Sequence, residues 1–218
     1  MLPGSMLTNG KGNDVGVDTK WTGSLYDMSY YHADMYEPYR QPGNIKFPFF
    51  LTPDKEYVGK AYYRRTINIP SDWKGQKILL TLERPHIETT VKVNGKTVGH
   101  DMSLSTPHVF DLTAYVTPGG TDTLEIEIYN GIENVCVGQD SHSVTDQTQG
   151  NWNGIVGDIA LSAVPAGQSI GRVRIYPDAA NRTATVKVLV DGGLSGKTKA
   201  TVTASPRKFK GRTVKATK

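Results

Sequence analysis

The stretch from Asp140 to Asn153, DSHSVTDQTQGNWN, gathers two aspartates, one histidine, two glutamines, two asparagines and a tryptophan into fourteen residues. It follows neither the period of a helix nor that of a strand. Amide and carboxylate side chains supply paired donors and acceptors, and an indole supplies a flat apolar face. That is the chemistry a pyranose ring and its hydroxyls require. The loop as a whole is therefore a candidate sugar-contact stretch, with Trp152 as its flat face. The same composition also fits an ordered polar loop whose side chains bond its own backbone.

A second polar stretch, Ser103-Leu104-Ser105-Thr106-Pro107-His108, is stiffened by its proline and adds His108 to the candidates. Other signals are weaker. His86 and Glu88 sit two apart on one face of a strand, but no further ligands at suitable spacing support a metal, and a polar couple explains them. Gly167-Gln168-Ser169-Ile170-Gly171 matches the string of a hydrolase nucleophile elbow. That elbow needs a strand before it and a helix after it, whereas a linker precedes and a strand follows here. Asn181-Arg182-Thr183 is a glycosylation triplet of the kind chance supplies. Cys136, the only cysteine, reads as a buried or spectator thiol and excludes an intramolecular disulfide.

The elements that must position these residues read as strands. Thr90, Lys92 and Asn94 alternate with Val91 and Val93, then Asn94-Gly95 supplies a tight hairpin turn into Thr97-Val98-Gly99. Residues 61–69, 78–82, 109–112, 123–129 and 154–164 give further strand patterns, and 123–129 alternates most cleanly. A short helical turn is expected over 111–116 and an edge strand over 44–50. Residues 1–56 lack a sustained period, yet Trp21 and five tyrosines between 26 and 39 mark an ordered loop region over a sandwich. Pro165-Ala166-Gly167-Gln168 reads as a linker, followed by strand patterns at 171–176, 183–190 and 199–204. Three strands cannot close a second sandwich core, so the chain is expected to stop inside one.

The 23 glycines and 12 prolines among 218 residues agree with an all-β chain rich in turns. Formal charge is +4, but six of the basic residues lie in the last fourteen positions, leaving 19 positive and 21 negative groups elsewhere. No nucleic-acid partner is implied. No apolar run approaches the roughly 18 residues a membrane helix needs, and Met1-Leu2-Pro3-Gly4 does not open a signal peptide.

Five motifs in order resemble the amino-terminal sugar-binding domain of glycoside hydrolase family 2, which includes β-galactosidases, β-glucuronidases and β-mannosidases. They are residues 2–6 (LPGSM), 57–65 (YVGKAYYRR), 91–96 with Val98-Gly99, 110–113 (FDLT) and 151–159 (NWNGIVGDI). The loops at 103–108 and 149–155 are most similar to those of gut-bacterial members. The resemblance implies a jelly-roll β-sandwich over residues 1–166 and a truncated immunoglobulin-like β-sandwich over 167–218. A catalytic (β/α)8 barrel would be the partner in the parent chain. That barrel carries two glutamates acting by a retaining mechanism, one of them in an Asn-Glu-Pro run. The sequence holds no Asn-Glu, and its one Glu-Pro, Glu37-Pro38, follows Tyr36. No catalytic residue, metal ligand or cofactor is therefore expected within these residues.

In relatives, an asparagine before an aromatic-proline pair reaches the barrel's pocket, and Asn44 before Phe47-Pro48 matches it. A carboxylate before an aromatic-Gly-Ile run does the same. Here Asp146 stands eight residues before Gly154, with Gln149 and Asn151 nearer. The resulting expectation is a non-catalytic piece of a periplasmic or secreted bacterial glycosidase that helps hold a β-linked glycoside. A free-standing carbohydrate-binding module or adhesin domain is the alternative, and a structural spacer a third. A barrel-sized extension of the reading frame would separate the first from the second.

Overall fold

A computed structural model describes residues 1–24, 27–47, 52–192, 199–208 and 210–217. The chain divides into two compact units, Met1–Lys74 with Ile78–Ala163, and Gly75–Lys77 with Val164–Lys218.

The first unit is built on eight strands in two four-stranded sheets. Short strands β1 (Gly4–Ser5), β2 (Asn13–Asp14) and β3 (Lys55–Glu56) precede the long ones. These are β4 (Lys60–Asn68), β5 (Gln76–His86), β6 (Glu88–Val93), β7 (Lys96–Met102), β8 (His108–Asp111), β9 (Thr121–Tyr129) and β10 (Gly154–Pro165). One sheet runs β1-β10-β5-β8 and the other β4-β9-β6-β7. Successive strands cross repeatedly from sheet to sheet, which is the double Greek-key winding of a jelly roll.

Alternation explains why these segments are strands. In β9, Leu124, Ile126 and Ile128 are buried while Glu125 and Glu127 stay partly exposed on the other face. In β5, Ile78, Leu80 and Leu82 do the same from the opposite sheet. Together with Val91, Val93, Phe110, Leu112 and Ile155 they form one apolar core between the sheets. The hairpin joining β6 to β7 turns on Asn94 (φ 50°) and Gly95 (φ 78°), both in the left-handed region that fits the twist of the flanking strands. Asn94 Nδ2 also donates to Asp122 Oδ1 at 2.7 Å, tying the hairpin to β9.

The amino-terminal segment holds short 3₁₀ turns at Met28–Tyr31 and Asp34–Arg40 and a small aromatic core of Tyr30, Tyr36 and Phe47. Trp21 meets Phe47 edge-on with ring centroids 5.1 Å apart. Of the edge strand expected over 44–50, Asn44 to Phe47 is irregular, and Pro48, Phe49 and Phe50 lie outside the described residues. Residues 112–116 make the single turn expected, Tyr115 N donating to Leu112 O at 2.8 Å and Val116 N to the same carbonyl at 3.2 Å.

The second unit contains β11 (Ser169–Asp178) paired with β12 (Thr183–Asp191), and β13 (Thr201–Ala204) paired with β14 (Val214–Thr217). Register places Val173 opposite Val188 and Ile175 opposite Val186. Ile175 nonetheless remains 65% exposed.

Two consequences are measurable. Amides of β5, β6 and β9 should exchange far more slowly than those of β11–β14, because two-stranded ribbons with an uncovered apolar side open easily. Leu82→Ala, at a fully buried position, should lower unfolding free energy by about 2–5 kcal/mol in urea titration.

Candidate functional site

A long excursion leaves the sandwich at Tyr129, the end of β9, and returns at Gly154, the start of β10. Tyr129 pairs with Glu88, and Glu88 with Met102, so β7 ends in the same row. The Ser103–Pro107 loop and the 130–153 loop therefore leave one end of the jelly roll together.

Three buried asparagines fasten the longer loop. Asn130 Nδ2 donates to Tyr57 O and its Oδ1 accepts from Gly59 N, both at 2.8 Å. Asn153 Nδ2 donates to Gly59 O at 2.8 Å and to Ile128 O at 3.1 Å. Between them Asn151 Nδ2 donates to Asn130 O at 2.7 Å and to Thr22 Oγ1 at 3.2 Å, while its Oδ1 accepts from Asn130 Nδ2 at 3.3 Å. Each amide thus satisfies strand-end groups that burial would otherwise leave unpaired.

Asp146 ties the same loop to the amino-terminal segment. Its Oδ2 accepts from Gly23 N at 2.9 Å, and a Cβ at Gly23 would run into Thr145 Oγ1. Only glycine permits that approach. Burial raises the Asp146 carboxyl above its ordinary range, opposed by the N–H groups of Gly23, Asn151 and Thr22. Glu56 is raised too, first by burial and further by the Asp146 charge, with the Asn13 side chain opposing. Ser24 adds two bonds to Asp140, at 2.7 and 3.0 Å.

Two open grooves flank residues 17–20 beside this junction. One of about 570 Å³ is lined by Asn13, Asp18, Lys20, Glu56 and Val58 among others. The other, about 490 Å³, is bordered by Asp18, Lys20, Trp21, Gly23 and Tyr31. Aromatic rings, hydroxyls and both charge signs meet there.

The sequence candidates take distinct places. Trp152 is half-buried, one indole face stacked on His86 at 4.6 Å and 12°. Gln149 is exposed in a turn of the loop. Asn44 is exposed, its Nδ2 bonded to Pro38 O at 2.7 Å, and no hydrogen bond joins it to the other candidates among the described residues. Asp146 and Asn151 are buried and bonded to backbone, so for them the self-bonded loop is the arrangement observed.

His108 requires correction. It belongs to β8, not to the loop, is fully buried, and its Nδ1 lies 2.9 Å from Thr89 Oγ1. Alternation along β8 turns it into the core with Phe110. Nor do His86 and Glu88 form a couple. The chain changes sheets between them, His86 reaching Trp152 while Glu88 accepts from Asn134 at 2.8 Å. Cys136 is exposed rather than buried. Among the described residues no cluster of three or more metal-ligating side chains forms, and no helix is long and apolar enough to cross a membrane.

The sequence assigns no role to Asn130 or Asn153. Their position beside strand ends was the available signal. Glu56 and Asn13 carried none, since only folding brings them to Asp146.

A jelly roll whose loops gather at one end around a polar, aromatic-lined junction belongs to the class of ligand-binding β-sandwich domains. The sequence profile of "Glycosyl hydrolases family 2, sugar binding domain" matches residues 13–165, and the chain belongs to that family. It is 28% identical over 185 residues to a β-galactosidase of Priestia megaterium, covering 85% of this chain and 16% of the relative. It is 26% identical over 171 residues to a β-galactosidase large subunit of Leuconostoc lactis, covering 76% and 24%. A solved Ruminococcus gnavus β-glucuronidase matches with TM-score 0.55 at 17% identity, over 69% of this chain and 26% of that one. That likeness is one of fold. The chain thus spans about a quarter or less of the length of these relatives.

The site yields two predictions. Asn153→Ala strips the donor from two buried carbonyls and should cost about 2–4 kcal/mol in urea unfolding, whereas exposed Gln149→Ala should change it by less than about 0.5 kcal/mol. Burial holds the His86 imidazole down to about 4, from an ordinary 6.5, the Asn151 side chain opposing. A base depressed in the folded state takes up its proton on unfolding. Its contribution is therefore intact above pH 6.5 and lost as pH falls towards 4, about 3 kcal/mol in all. His86→Phe should flatten that part of the stability profile.

Proposed function

We propose that the first unit is the non-catalytic substrate-framing domain of a retaining exo-β-glycosidase of the β-galactosidase or β-glucuronidase type. Its ligand is a β-linked glycoside, and its partner is a catalytic barrel in the parent chain. The observation that carries this reading is the pinned 130–153 loop. Three buried asparagines and Asp146 hold it rigid at one end of the jelly roll. Rigid loops at one end suit a pocket completed by another domain. Gln149, the accessible edge of Trp152 and the groove beside Tyr31 are the parts left to meet substrate. Asp146 and Asn151 act through position.

For the second unit we infer the opening strands of an immunoglobulin-like sandwich. The apolar side chains Ile170 and Ile175, 71% and 65% exposed, support this, because such a face is normally covered by a facing sheet.

Hydrogen bonds worth about 1 kcal/mol net each cannot alone hold a monosaccharide against water. The chain by itself should bind monosaccharides only at millimolar affinity or weaker, by rough affinity arithmetic, and should turn over no nitrophenyl β-glycoside. In the full-length parent, Gln149→Ala and Tyr31→Ala should each lower kcat/KM several-fold while leaving the melting temperature unchanged. Full activity in both variants, or turnover by the isolated chain, would overturn the reading.

A further inference from the structure

The sheet β4-β9-β6-β7 has a second face, turned away from the core, that the site above does not use. Register sets two consecutive rows across it. Tyr62 pairs with Glu127 and Glu127 with Thr90; Arg64 pairs with Glu125 and Glu125 with Lys92. Strands lie about 4.8 Å apart, so each row spans about 10 Å. These six side chains line a shallow groove of about 190 Å³. Tyr62 stands at its edge with 72% of its surface in solvent, although a ring of that size on a strand is usually half covered.

The polar groups are held in place. Lys60 Nζ lies 2.8 Å from Glu127 Oε1, and Arg64 Nε lies 3.4 Å from Glu125 Oε1. Lys92 is exposed and enters no ion pair among the described residues. Along the groove itself Arg64 and Lys92 balance Glu125 and Glu127.

That balance selects the ligand. A polyanion such as nucleic acid needs an excess of cations to displace its counterions, and the face has none. An apolar protein surface needs a contiguous apolar patch, whereas four charged side chains interrupt the apolar lining of this groove. A neutral glycan fits both halves. Its C–H face can lie on the Tyr62 ring, and its hydroxyls can donate to Glu125 and Glu127 and accept from Arg64 and Lys92.

We propose that this outer sheet face is a second glycan-binding surface, separate from the loop end, that takes a neutral polysaccharide chain with Tyr62 as its stacking platform. Nothing in it depends on a catalytic partner.

Affinity electrophoresis of the 218-residue chain in gels containing soluble β-1,4-galactan or hydroxyethylcellulose tests it. The expected result is retardation in at least one gel, a tenfold or greater loss of apparent affinity in Tyr62→Ala, and unchanged migration in Asn181→Ala, in an exposed turn of the second unit. Thermal melts confirm that the variants fold. Should Tyr62→Ala melt early, the double variant Arg64→Ala, Lys92→Ala replaces it, with the same loss expected. No retardation in either gel, retardation that survives these substitutions, or sedimentation showing that Tyr62 mediates self-association would overturn the proposal. Since the face lies apart from the loop end, loss here would leave the kinetic effect of Gln149→Ala in the parent intact.

Discussion

The structure of the first unit depends on how three asparagines satisfy the backbone where the long loop leaves the sandwich. Two sheets packed face to face leave strand ends whose carbonyls and amides have no ladder partner. At the end where β9 stops and β10 starts, those groups belong to Tyr57, Gly59 and Ile128. An asparagine side chain carries donor and acceptor on one planar group, so it can stand in for a missing strand. Asn130, Asn151 and Asn153 do this while bonding one another, and all three are buried. Removal of one would leave its partners dry and unpaired, which costs more than the bond itself is worth.

From that anchoring the rest of the end follows. With both feet of the loop fixed, its middle reaches the amino-terminal segment, and the approach of Gly23 to Thr145 lets Asp146 accept a hydrogen bond from the Gly23 N–H. The aromatic core of Tyr30, Tyr36 and Phe47 holds that segment in turn. Two carboxyls, Asp146 and Glu56, come close enough for one to raise the other. Charge that is held rather than solvated is a reason to look for function, although structural networks perturb carboxyls as well. Here the Asp146 carboxyl holds the loop to the Gly23 backbone, and open grooves adjoin that contact.

The two faces of the β4-β9-β6-β7 sheet divide the work by the pleat alone. Residues Leu124, Ile126 and Ile128 fill the core, and their neighbours Glu125 and Glu127 build the outer rows. A slip of one residue would exchange those sets. The Asn94-Gly95 turn and its bond to Asp122 fix the register on one side, and pairing of β9 with β4 along its full length fixes it on the other.

Local chemistry determined a good deal of this. Period-two alternation marked β4, β6, β9 and β10, the Asn94-Gly95 pair marked the hairpin, and ordered motifs marked the family. Those signals are legible because each resides within a few neighbouring residues. The sequence also located the polar loop, but could not say which of its groups face inward. Burial, pairing and the sheet to which a strand belongs arise between segments far apart in the chain. Thus His108, read as a loop residue, is a core residue of β8, and His86 parts from Glu88 at a change of sheet. Asp146 and Asn151, read as sugar contacts, bond Gly23 and Asn130. The types of the polar residues were set by the sequence. Which are spent on the fold and which remain for a ligand was decided by tertiary structure, because a buried donor or acceptor must find a partner wherever the packed chain provides one.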